Sequence, residues 1–177
     1  VAAPEHAHRQ ESTALEEALD VGVVFRRYSP YVAAVALRLL GRDEELDDAV
    51  QEVFVAALRG LKTLRDPGAV KGWLASVTVR VAQRRLGWRR WRARFGWDTA
   101  FDYERVAAEQ ASPEARAELA RVYRCLDELD PKARIAWTLR YVEGERLERV
   151  AELTDCSLAT VKRRIAAAAR ALEEALS

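Results

Sequence analysis

Val150-Ala151-Glu152-Leu153-Thr154-Asp155-Cys156-Ser157-Leu158-Ala159-Thr160-Val161-Lys162-Arg163-Arg164-Ile165 reads as a short helix, a tight polar turn and a longer helix. Before the turn, Leu147, Val150, Ala151 and Leu153 recur at three- and four-residue spacing. After it, Leu158, Val161, Ile165, Ala168 and Leu172 do the same. Ser157 stands where an N-cap belongs, since its hydroxyl can accept from an otherwise unpaired amide of the first turn. The spacing predicts a helix-turn-helix. Its second helix carries Lys162, Arg163, Arg164 and Arg170 and no acid between Leu158 and Leu172. Ala159, Lys162, Arg163 and Ala166 fall near one exposed face, and the N-terminal part of such a helix enters a DNA major groove. There Lys and Arg reach guanine O6/N7 and phosphates. A helical hairpin with basic solubilising residues is the plainer alternative. The pattern from Val150-Ala151 through Ser157 to Thr160-Val161-Lys162 favours DNA.

Upstream, Ser112-Pro113-Glu114 and Asp130-Pro131 each place a capping residue before a first-turn proline. The helices they start carry Leu119, Val122, Tyr123, Leu126 and Leu129, then Ile135, Leu139 and Val142 before a stop at Gly144. Further back, Val24, Tyr28, Tyr31, Val32, Val35 and Leu39 form a stripe that Gly41 ends, with Ser29-Pro30 inside it as a cap or a kink. Leu46, Ala49, Val50, Val53, Phe54, Ala57, Leu58 and Leu61 form another, opposite an acidic face that Asp43 or a neighbour can cap. Arg65-Asp66-Pro67-Gly68 is a turn. Val77-Thr78-Val79-Arg80-Val81 alternates like a strand, but no hairpin or partner strand accompanies it, so a helix from about Ala69 to Trp91 is expected. The fold class is all-α: two small, independent helical domains at 15–92 and 113–177, joined by a flexible linker at 93–112. A disordered tail is expected over 1–14.

Among the 177 residues, 29 cations nearly balance 28 acids, but they are segregated. Lys71 to Arg94 holds eight cations (Lys71, Arg80, Arg84, Arg85, Arg89, Arg90, Arg92 and Arg94) and no acid, which leaves the rest at 21 against 28. Just upstream lie Asp43, Glu44, Glu45, Asp47, Asp48 and Glu52. Such asymmetry points to two partners of opposite charge, one a polyanion. A solvated helix face beside its complement would give the same pattern. Four of the five tryptophans (Trp73, Trp88, Trp91 and Trp97) interleave with the basic segment or follow it closely. Cations track phosphates while aromatic faces stack on unpaired bases, which is what holding a single strand requires. Trp73 can equally be a core anchor.

The residues also bound what the chain is not. Two distant cysteines, Cys125 and Cys156, make neither a disulfide framework nor a four-cysteine zinc site. His6 and His8 lie in the tail, and the acids from Asp43 to Asp48 lack the glycine and spacing of a calcium loop. No catalytic constellation, metal site or cofactor motif converges, so a non-enzymatic protein without cofactor is expected. No stretch resembles a signal peptide or reaches the roughly 20 apolar residues of a membrane span, so a cytoplasmic protein without membrane insertion is expected.

Phe25-Arg26-Arg27-Tyr28-Ser29-Pro30, Ala36-Leu37-Arg38-Leu39-Leu40-Gly41, Asp47-Asp48-Ala49-Val50-Gln51-Glu52-Val53-Phe54 and Gly72-Trp73-Leu74 resemble region 2 of bacterial sigma factors. Leu126-Asp127-Glu128-Leu129-Asp130-Pro131, Leu139-Arg140-Tyr141-Val142-Glu143-Gly144 and Thr160-Val161-Lys162 resemble region 4. With both in order and no domain between, the chain resembles the extracytoplasmic-function (ECF) sigma factors. The resemblance implies that Asp48, Val50, Gln51 and Glu52 dock on the β′ clamp helices of core RNA polymerase, with a further contact to the β flap. It implies that the Leu64–Lys71 loop and the helix after it melt the −10 element, using Arg65, Lys71, Trp73, Arg80, Arg84, Arg85 and Trp88. It gives the −35 element to Arg140, Thr160, Lys162, Arg163 and Ala166, and implies an anti-sigma factor as a further partner. The chain departs from the family at Arg80, where Asn is common, at Arg84, where Asp is frequent, and at Arg146, where Ser or Thr caps the first helix of the helix-turn-helix. Open alternatives are a stand-alone helix-turn-helix regulator, which would bind duplex tightly without polymerase, and a sigma-mimicking adaptor, which would bind polymerase without starting transcription.

Overall fold

The carboxylate of Asp20 accepts from the amide of Val23 and opens the first helix; the computed structural model describes the chain at residues 20–42, 44–97 and 112–176. Within these residues lie seven α-helices: α1 Val21–Leu40, α2 Leu46–Gly60, α3 Val70–Arg94, α4 Pro113–Glu128, α5 Pro131–Tyr141, α6 Leu147–Thr154 and α7 Leu158–Leu176. Two 3-10 turns, Leu61–Thr63 and Pro67–Ala69, connect α2 to α3, and no strand occurs among the described residues. The expected tail, Asp43, His6, His8 and residues 98–111 of the linker expected at 93–112 lie outside them; of the rest of that linker, Ala93 and Arg94 continue the long helix and Ser112 caps the next.

The local signals act as their chemistry requires. Ser112 Oγ accepts from the Ala115 amide at 3.2 Å, and the Asp130 carboxylate from the Lys132 and Ala133 amides, with Pro113 and Pro131 in the first turns that follow. Pro30 sits inside α1, so Ser29-Pro30 does not start that helix; the proline removes one internal hydrogen bond and the helix runs on. Glu45 precedes α2 without a capping bond, and Asp47 and Asp48 in its first turn complement the helix dipole instead.

Helix α3 is the axis of the molecule. It packs against α1 and α2 on one side and against α5 and α6 on the other. Val77, Thr78, Val79 and Val81 are therefore all buried, which explains why this stretch lacks a one-sided apolar stripe in the sequence. The buried Thr78 hydroxyl donates back to the Leu74 carbonyl at 2.8 Å. A helix from about Ala69 to Trp91 is close to what is found, with three further residues at its end.

The two expected helical domains are both present, and they pack directly against one another. The halves share one apolar core, in which Leu39, Leu40, Leu74, Val77 and Leu86 join Ile135, Leu139, Val150 and Leu153. Polar contacts stitch the same seam. Asp127, in the last turn of α4, binds three guanidiniums at once: Arg42 at 2.8 Å, Arg89 at 3.2 Å, and Arg134. Arg134, only 1% exposed, reaches across to the end of α1, where its Nε and Nη2 donate to the carbonyls of Leu39 (3.1 Å) and Leu40 (2.7 Å). Those carbonyls are the unpaired, electronegative end of a helix, a natural seat for a cation. Burial still pushes Arg134 down to about 10, while Asp127 pulls it back up; it remains charged at neutral pH. Arg89 adds a bond to the Leu40 carbonyl and lies 3.1 Å from Glu45. Arg38 grips Glu143, and Arg149 Nη2 donates to the Gly72 carbonyl at 3.2 Å.

Gly41 is where the seam is tightest. It ends α1 at φ 67°, and a Cβ there would fall 2.4 Å from the Tyr123 ring and 2.9 Å from Arg134 Nη2. Both the backbone angle and the close approach demand glycine.

Candidate nucleic-acid and partner interfaces

The helix-turn-helix begins at Arg146, which makes no side-chain capping bond to α6, so the departure noted in the sequence leaves that helix uncapped. Helix α6 ends at Asp155, which takes the left-handed conformation at φ 48°, an angle tolerated by Asp in a tight turn. The Cys156 amide then donates to the Ala151 carbonyl, and Ser157 Oγ accepts from the Thr160 amide at 3.2 Å. Val161, Ile165, Ala168 and Leu172 turn inward and are buried. Lys162, Arg163 and Ala166 are exposed on the opposite face, and Thr160 is half-buried beside the cap. Arg140, half-buried, donates to the Glu145 carbonyl and holds the turn before α6. Arg164 does not join the exposed face, since its Nη1 lies 3.2 Å from Cys156 Sγ.

The second surface follows the Arg65–Ala69 turn. Asp66 accepts from the Gly68 amide at 2.8 Å and fixes the start of the 3-10 turn, leaving Arg65 and Lys71 exposed. Lys71 Nζ sits 4.8 Å from the centre of the Tyr31 ring. Trp73 is half-buried against the core, and its ring lies where a Cβ on Gly60 would collide, which favours the anchor reading for this residue. Arg80 is exposed. Farther along α3, Trp88, Trp91, Phe95 and Trp97 form an exposed ring cluster with centroids 4.9–5.8 Å apart along the Trp88–Trp91, Trp91–Phe95 and Trp91–Trp97 contacts. Of the eight cations between Lys71 and Arg94, Arg89 is withdrawn from this surface into the seam.

The third surface is the acidic face of α2. Asp48 and Gln51 are exposed, Val50 and Glu52 half-buried. Beside them Phe25, Val55 and Leu58 leave apolar surface open, and Phe25 meets the Phe54 ring edge-on at 4.8 Å. Glu52 is not free to serve this face alone. Its carboxylate pairs with Arg84 and, at 3.0 Å, with Arg85. Acidic helix and basic helix therefore meet at one carboxylate.

Among the described residues no group of His, Cys, Asp or Glu is arranged to hold a metal ion. None of the described helices is long and apolar enough to cross a membrane. The residues that sequence reading missed are Asp127, Arg134 and Arg42, because charged side chains far apart in the chain give no local sign of burial.

Both halves of the chain match known protein families. Residues 24–92 match the Sigma-70 region 2 family and residues 119–172 match Sigma-70, region 4. The chain is 31% identical over 159 residues to the RNA polymerase sigma-H factor of Pseudomonas aeruginosa, covering 85% of this chain and 82% of that one. It is also 31% identical over 161 residues to the ECF RNA polymerase sigma-E factor of Escherichia coli, covering 83% and 81%. Its fold is similar to that of the sigma factor RpoE from Bartonella quintana, solved in complex with the anti-sigma factor NepR, with a TM-score of 0.62, 22% identity and coverage of 86% and 93%. With both regions matched in order, and with relatives aligned over most of their length, the chain belongs to the extracytoplasmic-function sigma factors of bacterial RNA polymerase.

Proposed function

We propose that this sigma factor divides its work among the three surfaces and acts by binding, without a catalytic step of its own. The observation that carries the reading is the exposed Lys162–Arg163–Ala166 face at the start of α7, set by the Ser157 cap and backed by a buried apolar stripe. Such a face reads duplex −35 DNA in the major groove, with Arg140 and Thr160 positioning it. The turn at Arg65–Lys71 and the exposed flank of α3 take the −10 element. There Trp73 anchors the helix on the core, Arg80, Arg84 and Arg85 meet phosphates, and Trp88 offers an aromatic face to an unpaired base. Arg at positions 80 and 84 supplies only donors and a permanent charge, so base choice moves to the Leu64–Lys71 loop. Asp48, Gln51 and Glu52, with Val50 beside them, are the acidic contact for a basic surface of core polymerase, and their charge raises the rate of encounter. By analogy with the anti-sigma complex of the structural relative, an anti-sigma factor is a further partner.

In-vitro initiation with core polymerase tests the whole assignment. Changing Lys162 and Arg163 to Ala should abolish −35 dependence while leaving core binding intact. Tight duplex binding without polymerase would instead favour a stand-alone regulator, and core binding without initiation an adaptor.

A further inference from the structure

One carboxylate of α2 gathers two neighbouring arginines of α3. Adjacent residues of a helix project about 100° apart and do not face each other. Arg84 and Arg85 nonetheless converge on Glu52. Its Oε1 pairs with Arg84 Nη2, and its Oε2 accepts from Arg85 Nε at 3.0 Å. Both carboxylate oxygens are therefore engaged, while each guanidinium has donors beyond the one it gives to Glu52. The three side chains line a cleft of about 430 Å³ together with Asp48, Trp88 and Arg92.

A second pair between the same two segments shows what a structural contact looks like. Glu45, at the start of α2, lies 3.1 Å from Arg89, one turn beyond Arg85. The Arg89 side chain is 5% exposed, and it also binds the Leu40 carbonyl and Asp127, so it belongs to the fold. The side chains of Arg84, Arg85 and Glu52 are 54%, 22% and 32% exposed. Ion pairs open to solvent add little stability, so the fold does not depend on this one. What Glu52 fixes is where the guanidiniums point. A carboxylate on the Nε of an arginine sets the plane of the fork and leaves the Nη side for a second acceptor. A side chain already ordered also loses less freedom when it meets a phosphate.

We propose that Glu52 is a positioning residue for promoter binding, which holds Arg84 and Arg85 together as one phosphate clamp. The inference rests on the assignment of the exposed flank of α3 to the −10 element, and it gives Glu52 a task there besides the polymerase contact. Phosphate contacts set the register of a protein on nucleic acid, so two aligned guanidiniums place α3 on the strand. The sign of the effect is distinctive. Removing an acid beside a DNA-binding surface makes that surface more positive, which by charge alone strengthens binding to a polyanion. Removing a positioning carboxylate weakens binding although the net charge rises.

A salt titration of purified holoenzyme tests the proposal, because core binding then precedes the reading. The probe is a forked duplex with an unpaired −10 strand, taken from a promoter mapped by transcript 5′ ends and followed by fluorescence anisotropy. Arg84→Ala with Arg85→Ala should lower the logarithmic salt slope by about 2. Glu52→Gln should weaken binding and lower the slope by about 1, and should change nothing further when added to the two alanines. Its thermal unfolding, followed by circular dichroism, should match that of the native chain. Equal or tighter binding by Glu52→Gln, with an unchanged or steeper slope, overturns the proposal. So does a loss that persists undiminished without the two arginines, or one that accompanies a lost fold. If the double alanine variant binds as the native chain does, the assignment of α3 to the −10 element fails and takes the proposal with it. In the other outcomes that assignment stands.

Discussion

Replacing Gly41 with Ala perturbs the seam without touching a charge, and its cost follows from two separate terms. Gly41 sits at φ 67°, where an L-residue pays about 1–2 kcal/mol of backbone strain. The added Cβ would also meet the Tyr123 ring at 2.4 and 2.6 Å and Arg134 Nη2 at 2.9 Å. Relieving such overpacking against a fixed ring costs about 1–3 kcal/mol. The total is about 2–5 kcal/mol. Two other glycines isolate the terms. Gly144 shares the positive φ, at 71°, but a Cβ there meets nothing within 4 Å, so Gly144→Ala should cost only the strain of about 1–2 kcal/mol. Gly87 is inside α3 with nothing within 4 Å, and Gly87→Ala should stabilise by about 0.5–1 kcal/mol. Urea unfolding of the three variants, followed by circular dichroism with midpoints compared at unchanged slope, reads these values. If Gly41→Ala costs no more than Gly144→Ala, the Tyr123 ring is not against Gly41 and the shared core between the halves is refuted.

Other surfaces give shorter tests. Lys162→Ala with Arg163→Ala should weaken holoenzyme binding to −35 duplex and flatten its logarithmic salt dependence by about 1–2, measured by fluorescence anisotropy across a salt titration. Glu52→Gln removes the carboxylate shared by Arg84 and Arg85; core binding should weaken and gain salt sensitivity, whereas unchanged binding would remove Glu52 from the polymerase interface. The Glu114 carboxyl is held below its ordinary value by its own backbone amide and by the Ser112 hydroxyl. Its contribution to the start of α4 is therefore present above the ordinary glutamate range and lost as pH falls through the depressed value, which an NMR titration of Glu114 in the native chain and in Ser112→Ala will show as a rise in the latter.

The sequence made the helix starts legible wherever a side chain closes its own first turn, as at Ser112, Asp130 and Ser157. The helix-turn-helix was legible for the same reason, because its cap, turn and apolar stripe all lie within one stretch of chain. Helix α3 was harder: buried on opposite sides, it shows no single stripe, and Val77 to Val81 reads equally as a strand. The seam was not legible at all. Arg38 and Glu143 are 105 positions apart and Arg42 and Asp127 are 85 apart, so nothing local marks them. A buried arginine also looks like a surface one until the helix end that receives it is known, and this is why Arg89 was counted with the nucleic-acid cations. The candidate surfaces fared better in placement than in freedom. Lys162, Arg163, Arg65 and Asp48 are exposed where their spacing put them, while Arg84, Arg85 and Glu52 engage one another.

The central claim, that this chain directs polymerase to promoters and opens them, is tested most directly by permanganate footprinting. The template is a promoter identified by sequencing transcript 5′ ends after overexpression. With core polymerase and this protein together, thymines in the −10 region should become reactive and a transcript should start downstream. Neither component alone should do so. Footprints on duplex by the protein without polymerase, with no reactive thymines when polymerase is added, would contradict the account.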